Sequence, residues 1–219
     1  EKEEERIQQR VQNLGADGKL ILNSDNQVYQ VNLLEKLIVP LLAKLSNFVL
    51  RGGIWLNTQR PEWNDANNAL VGQGLSMVTL YYMKRYVTFM LELVEGQPTS
   101  IQCSNEVVKW FSQTADILQA TCQHLTKQGE FTDAYRFEVL SKLGQAGSDY
   151  RQTVYQTNTF SGKKELKISD LKTMLDNVII LLNDSIEHNQ RQDQLYQAYN
   201  LLSFKEGALS IGNLYEMLE

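Results

Sequence analysis

Apolar residues recur three and four positions apart along most of this chain, which is the spacing of one face of an α-helix. Residues 1–14 are heavily charged but carry Ile7, Val11 and Leu14 at this spacing, which predicts a solvated helix with a narrow apolar stripe. The same pattern predicts further helices over residues 33–50, 75–94, 104–127, 132–156, 171–187 and 208–219.

Polar residues mark the ends of several of these helices. Ser104, Thr132 and the pair Ser169-Asp170 stand where helices begin, and their side-chain oxygens can accept hydrogen bonds from the first free amides. Gly129 follows a helical run and predicts its end. The sequence therefore predicts long helices with capped starts, joined by polar loops.

Three details refine this helical pattern. Pro40 lacks an amide donor, so it should start a new helix or kink an existing one. Gly144 and Gly147 interrupt the apolar face of one helix and can permit close contact with another. Residues 75–94 are almost continuously apolar, which predicts a helix buried on all sides.

Strand signals are sparse. Residues 19–22 and 28–31 flank a turn-forming cluster at 23–26 and predict one small β-hairpin near the N-terminus. Residues 54–73 are polar and aromatic and predict a long ordered loop, while residues 159–167 predict a lysine-rich connection. The expected fold class is all-α, with helical hairpins in a single domain over residues 1–219.

Composition and charge exclude several classes of protein. The chain has 219 residues, 42% of them hydrophobic, so it can fill a core and disorder is excluded as the default. The net charge is −5 and no basic block is present, so nucleic acid is not an expected partner. Charged residues interrupt both long apolar stretches short of a bilayer's length, so no membrane partner is expected either.

No metal or other cofactor is expected. Cys103 and Cys122 have neither a CxxC nor a Cys/His zinc spacing, and each is expected to be a small buried apolar residue. His124 lies among helical polar residues and His188 lies near a helix C-terminus, where the helix dipole favours a protonated ring. Both histidines are expected to be structural.

The segment from Arg60 to Asn68 concentrates groups that recognise sugars. A tryptophan face covers the apolar patch of a pyranose ring, amides bind adjacent hydroxyls, and a carboxyl group can protonate a glycosidic oxygen. The segment supplies each of these in Trp63, Asn64, Asp65, Asn67 and Asn68.

Two readings of this segment remain open from spacing alone. If it turns helically, Glu62 and Asp65 share a face, and their like charges raise one pKa toward that of a useful acid. Alternatively, Asn64 or Asp65 caps the following helix and Trp63 fills the core. Arg60 can orient Glu62, bind an anionic substrate group or lie on the surface.

A family resemblance favours the first reading. Trp63-Asn64-Asp65, with an acidic residue before it and an asparagine after it, resembles the Asp-Trp-Asn-Asp motif of cellobiose and chitobiose phosphorylases and cyclic β-glucan synthases. The resemblance implies that Asp65 is the general acid, on an (α/α)6 toroid whose active-site loops join helices. Residues 51–74, with 195–200 and 214–218, also resemble a block in large bacterial proteins of the six-hairpin glycosidase type.

The resemblance covers residues 19–219, but only the 51–74 block is specific. Glu62 replaces the usual aspartate, and none of the phosphate-binding residues of the phosphorylases can be placed in this chain. Hydrolysis and phosphorolysis therefore both remain open, and inorganic phosphate is a possible second substrate. An inverting hydrolase needs a second carboxylate to activate water.

A second segment carries a further set of candidates. Tyr196, Tyr199 and Asn200 can supply another edge for a sugar, with Asp193 as a distant carboxylate. Structural tyrosines on a loop are the competing interpretation.

The function expected from the sequence is cleavage of glycosidic bonds in an oligosaccharide or glycoside, with Asp65 as general acid and Glu62 beside it. The alternative is a non-catalytic helical module that binds carbohydrate or protein. An (α/α)6 toroid closes with twelve helices, whereas the sequence predicts six or seven and begins with Glu1. The chain alone is therefore expected to be an incomplete, inactive portion of the catalytic domain, covered by the rest of that domain or by self-association.

Overall fold

The computed structural model describes residues 2–57, 68–96 and 99–213. Six α-helices lie within these residues: α1 Lys2–Leu14, α2 Leu33–Leu45, α3 Met77–Leu93, α4 Asn105–Gln128, α5 Asp133–Thr157 and α6 Ile168–Glu187. A short 3-10 helix, Gly15–Lys19, follows α1. None of the helices in the described ranges is long and apolar enough to cross a membrane.

In the described part of the chain, seven strands accompany the helices: β1 Phe48–Val49, β2 Gly53–Trp55, β3 Gly74–Ser76, β4 Ser100–Ser104, β5 Lys163–Lys167, β6 Tyr199–Lys205 and β7 Ala208–Asn213. Five of them form a curled antiparallel sheet in the order β1-β2-β3-β6-β7. Strands β4 and β5 pair separately, with Ser100 opposite Lys167 and Ser104 opposite Lys163.

The expectation of an all-α fold built as part of an (α/α)6 toroid is therefore wrong, because the structure mixes helices with two sheets. In a toroid, further helices would cover the apolar face of a helix. Here the five-stranded sheet covers that face. Val49, Leu75, Leu202 and Leu209 form one buried cluster with Leu140 of α5. The physical requirement to bury that face is met by strands from distant parts of the chain.

The helical pattern located the helices better than it located their ends. The helices predicted at 1–14, 104–127 and 132–156 are confirmed to within a residue or two. The helix predicted over 33–50 stops at Leu45, because the chain turns into β1, and Pro40 lies inside it on an exposed face. The helix predicted over 208–219 is wrong in the part that is described, because Ala208–Asn213 pairs with β6.

The segments predicted to lack regular structure contain strands. Residues 54–73 overlap β2, and the lysine-rich connection at 159–167 contains β5, which pairs with β4. In the opposite direction, the hairpin predicted around residues 23–26 is reduced to a single antiparallel bridge between Leu22 and Val28. Pairing partners far away in the sequence decide where strands form, and local pattern does not report them.

Helix α3 is not buried on all sides, contrary to the sequence prediction. Leu80, Val87 and Met90 face the core, but Tyr82 is 64% exposed and Phe89 is 49% exposed. Together with α2, α4 and α6, α3 encloses the larger of the two cores.

Of the three predicted caps, one is confirmed and two are wrong. Helix α6 begins at Ile168 after Lys167, which makes no side-chain cap, so Ser169 and Asp170 lie inside the helix. Thr132 accepts a hydrogen bond from the amide of Tyr135, as its position predicted. Ser104 makes no side-chain cap; instead its hydroxyl donates to the buried carboxylate of Glu35 at 2.5 Å, and its amide donates to the same carboxylate at 3.0 Å. Glu35 of α2 thus accepts the hydrogen bonds that the residue before α4 donates.

The two glycines of α5 have different surroundings. A Cβ added at Gly147 would overlap with the Ser46 hydroxyl and lie 3.0 Å from the Ser46 Cβ, whereas a Cβ at Gly144 would lie 3.7 Å from its nearest neighbour, the Ser46 carbonyl oxygen. Ser46 is buried, and its hydroxyl donates to the carbonyl of Leu42. Gly147 therefore sets how closely α5 approaches the end of α2.

The turn between β1 and β2 places Arg51 in the interior. Its guanidinium donates from Nε to Asp184 Oδ2 at 2.9 Å and from Nη2 to Asp184 Oδ1 at 3.0 Å, while Nη1 donates to Glu130 Oε2 at 2.7 Å. The same group donates to the carbonyl of Gly129 and lies over the ring of Phe131. These hydrogen bonds to Asp184 raise the pKa of Arg51 above its usual value.

Backbone groups beside Arg51 extend this cluster. The Arg51 amide donates to the Ser185 hydroxyl at 3.0 Å, and the Arg51 carbonyl accepts from the Asn189 side chain at 2.9 Å. Asn189 in turn accepts from the side chain of Asn200 at 2.6 Å. Arg51 has φ of 62°, in the left-handed region that non-glycine residues rarely adopt, and these contacts hold it there.

Gly147→Ala is expected to destabilise the protein by about 1–3 kcal/mol, because the added methyl group overpacks a buried contact. Gly144→Ala is the matched control: the same change in the same helix meets no clash and should stabilise by about 0.5–1 kcal/mol. Urea denaturation of both variants measures the difference. Equal effects of the two changes would show that Gly147 does not limit the approach of α5.

Arg51→Lys keeps the charge but loses the fork that holds Asp184 with two hydrogen bonds. We expect a loss of about 2 kcal/mol in the free energy of unfolding, since the buried charge at this position loses part of its hydrogen bonds. Arg85→Lys on the exposed surface of α3 is the control and should stay within about 0.5 kcal/mol of the parent. Similar stabilities of the two variants in chemical denaturation would contradict a structural role for the Arg51 fork.

Candidate functional site

A groove of about 280 Å³ opens between α5 and the five-stranded sheet. Its walls come from four places in the chain: Ser46 and Asn47 before β1, Trp55 at the end of β2 with Asn57 beyond it, one face of α5, and Phe204 of β6. The groove exists because α5 packs on the sheet through Leu140 while the neighbouring helix positions stay open to solvent.

Three aromatic side chains form one wall of the groove. The rings of Trp55 and Phe204 meet edge to face with centroids 5.4 Å apart, and Phe137 meets Phe204 at 6.5 Å. Phe204 is 47% exposed, so its ring is available to a ligand. The Trp55 indole donates to the carbonyl of Gly72 at 3.0 Å, which fixes the orientation of the ring.

Amide side chains lie beside this aromatic wall. Asn57 donates to the side-chain oxygen of Asn47 at 2.6 Å, and Asn47 donates to the carbonyl of Ala43 at 3.1 Å. Gln145 of α5 donates to Asp149 at 2.7 Å. Each amide is held by a protein partner. Its remaining donor and acceptor positions can form hydrogen bonds with a ligand.

Hydroxyl groups and a single cation complete the described lining. Ser141 and Ser148 project from the exposed face of α5, and Arg151 follows one turn later. The guanidinium of Arg151 donates to the Ser148 hydroxyl at 3.3 Å. The groove thus combines planar apolar surfaces with several donors and acceptors.

Asn57, which lines the groove, belongs to the connection between β2 and β3. The amide of Leu56 donates to the carbonyl of Gly74 at 2.9 Å, and the amide of Gly72 donates to the carbonyl of Leu56 at 2.6 Å. These bonds hold together the two ends of the β2–β3 connection. Asn57, on the groove, directly precedes residues 58–67 in the sequence.

Most of the site residues predicted from sequence fall within that connection. Arg60, Glu62, Trp63, Asn64, Asp65 and Asn67 lie outside the described residues. Asn68 is described and helical, with its side-chain oxygen buried and without a hydrogen-bond partner.

The second predicted segment is described and does not converge on the groove. Tyr196 is exposed and packs edge to face on Tyr81, whose hydroxyl donates to the carbonyl of Gln197. Tyr199 starts β6 opposite Ser76 and is half-buried.

Asn200 is only 1% exposed, and it joins the cluster around Arg51 by donating to Gly52 and Asn189. Its position is that of a structural residue. Asp193, the candidate carboxylate of this segment, pairs with Arg191 and accepts from the amide of Leu195.

The cysteines are buried, as their spacing predicted. Burial raises the pKa of Cys103 to about 11 and that of Cys122 to about 11, so neither thiol is an activated nucleophile. His124 stacks on Tyr135 with ring centroids 3.8 Å apart. Within the described ranges, no group of three His, Cys, Asp or Glu side chains is arranged to hold a metal ion.

The groove residues Phe137, Gln145, Arg151 and Phe204 carry no signal in the sequence that singles them out. Trp55 and Asn57 belong to the polar-aromatic stretch at 54–73, but the predicted site began at Arg60. These side chains come from separate elements that only the folded chain brings together, so no motif spacing could have found them.

Comparison with known proteins adds no relative to these observations. No protein-family model matches this chain, and no curated protein is significantly similar to it. The function of the chain must therefore be argued from the groove and from the sequence motif.

Proposed function

We propose that this protein binds a carbohydrate in the groove between α5 and the sheet and cleaves a glycosidic bond, with Asp65 as the general acid. The observation that carries the proposal is the lining of the groove. Aromatic rings and amide side chains lie side by side on it, and one of these amides, Asn57, directly precedes the motif segment in the sequence.

The lining suits a sugar for physical reasons. A pyranose ring has an apolar face of C–H groups and an edge of hydroxyls, so it needs a flat ring on one side and paired donors and acceptors on the other. Trp55 and Phe204 offer the flat surfaces. Asn47, Asn57 and Gln145 offer amides that can donate to one hydroxyl and accept from the next.

The catalytic part of the proposal depends on the motif. A leaving oxygen must be protonated as the glycosidic bond breaks, which requires a carboxylic acid close to the bound sugar. None of the described residues that line the groove is an aspartate or glutamate. We therefore assign the acid to Asp65, with Glu62 beside it, while the nucleophile is either water or phosphate.

The same observation supports a second candidate function. A groove whose described walls lack a carboxylate can bind a sugar without cleaving it, as a carbohydrate-binding module does. The two functions differ in what they require of Asp65, because only catalysis needs its proton.

Asp65→Asn in the intact protein is expected to lower the rate of glycoside cleavage by on the order of 10²-fold or more, because an amide cannot supply the proton. Turnover is measured on a panel of oligosaccharides, with and without inorganic phosphate. Asp116→Asn on the exposed surface of α4 is the matched control and should leave the rate unchanged.

Parental turnover in the Asp65 variant would remove Asp65 from the mechanism. Sugar binding without turnover in the unmodified protein would instead favour the non-catalytic function.

Trp55→Ala is expected to weaken sugar binding by ~1 kcal/mol or more, since a ring face is lost, whereas Trp55→Phe should keep most of the affinity. Titration calorimetry on folded protein gives the dissociation constants. Tyr155→Ala, which removes an exposed ring from α5 outside the groove, is the control. Unchanged affinity in the Trp55→Ala variant would show that the sugar does not bind in this groove.

A further inference from the structure

The charge of the groove is carried by one residue. Among the described residues that line it, Arg151 is the only one that is ionised at neutral pH. This cation stands out because the chain as a whole is acidic, with a net charge of −5. A neutral sugar gives no reason for a full positive charge at this position.

Arg151 also differs from the arginines that pair with carboxylates. Arg51 is paired with Asp184 and Glu130, and Arg136 is paired with Asp133 at 2.7 Å. The guanidinium of Arg151 donates only to the hydroxyl of Ser148, at 3.3 Å, and has no carboxylate partner among the described residues. Most of its donors therefore remain available to a ligand.

The nearest carboxylate in the sequence does not pair with Arg151. Asp149 is two positions before Arg151, so the two side chains leave α5 on widely separated faces. Asp149 accepts from Gln145 and lines a different cavity, beside Trp110 and Tyr150. The positive charge of Arg151 is therefore not neutralised by its neighbour along the helix.

The hydroxyl of Ser148 is a second hydrogen-bond donor, and its contact with the Arg151 guanidinium orients it. Its oxygen accepts from Arg151, which leaves the hydroxyl hydrogen free to donate to another group. A guanidinium and a hydroxyl that are already in contact present adjacent donors, and a planar carboxylate can accept from both with its two oxygens.

We propose that the groove selects an acidic sugar, one that carries a ring carboxylate as in a uronic acid, and that Arg151 with Ser148 binds that carboxylate. This inference rests on the proposed function, because it assigns the chemical class of the carbohydrate bound in the same groove. Trp55 and Phe204 hold the ring, and Arg151 provides the specificity for charge.

The test compares disaccharides ending in glucuronic or galacturonic acid with their neutral parent sugars, using calorimetry on the intact protein. The unmodified protein should bind the acidic sugars at least about tenfold more tightly than the neutral ones, as one charge-assisted pair predicts. Raising the salt concentration should weaken binding of the acidic sugars only, because the pair is partly exposed.

Two variants of Arg151 and one control variant test whether Arg151 causes the preference for acidic sugars. Arg151→Gln should lower affinity for the acidic sugars by about tenfold or more and leave affinity for the neutral ones within about twofold. Arg151→Lys should lose less, since it keeps the charge without the fork. Lys142→Gln removes a positive charge from the opposite side of α5, outside the groove, and should change neither affinity.

The outcomes separate this inference from the proposed function. Equal binding of acidic and neutral sugars, or an equal loss of both in Arg151→Gln, would overturn the acidic-sugar inference and leave sugar binding intact. Binding of neither kind of sugar would overturn both. Inorganic phosphate that binds as tightly as the acidic sugar, and equally depends on Arg151, would show an oxyanion site for free phosphate instead.

Discussion

Arg51 carries a full positive charge into the interior, where four side-chain hydrogen bonds and two backbone contacts hold it between the β1–β2 turn, the α4–α5 link and the end of α6. Leaving such a charge unpaired would be strongly unfavourable, so its partners must be in place whenever the chain is folded. Because Arg51 lies only two residues before β2, this requirement fixes where β2 begins. Trp55 and Asn57, which line the groove, follow in the next few residues of the chain.

The other wall of the groove depends on a steric constraint. The absence of a side chain at Gly147 lets α5 lie against Ser46, and Leu140 anchors the same helix to the sheet. With these positions packed, Gln145, Ser148 and Arg151 remain on the exposed part of the helix surface. The groove is therefore the space left between α5 and the sheet. The pairing of Arg51 constrains the sheet side, and the close packing at Gly147 constrains α5.

The functional proposal does not need the fold that the family resemblance implied. An (α/α)6 toroid is contradicted by the curled sheet, yet a general acid requires only a carboxyl group near a bound sugar, and unrelated folds can provide that arrangement. Chemistry and scaffold are separable in this way because recognition depends on a few side chains in the right positions. Here the candidate chemistry belongs to residues 58–67 of the sequence, and the candidate binding surface is the groove between α5 and the sheet.

The sequence by itself determined most of the helices and the cap at Thr132, because these follow from contacts within a few residues of chain, and the apolar character of the two cysteines indicated their burial. It also singled out the motif around Asp65, because that motif is contiguous. It missed the sheet because β1, β2 and β3 are too short to show alternation, and because the apolar spacing of residues 208–213 fits a helix as well as a strand.

Only the tertiary structure decided which of these segments pair, that Ser104 would bind Glu35 and not cap its own helix, and that Asn200 would be buried beside Arg51. It alone brought Trp55, Phe204 and Arg151 to one groove. Those outcomes depend on contacts between residues far apart in the chain, whose energies no local pattern contains.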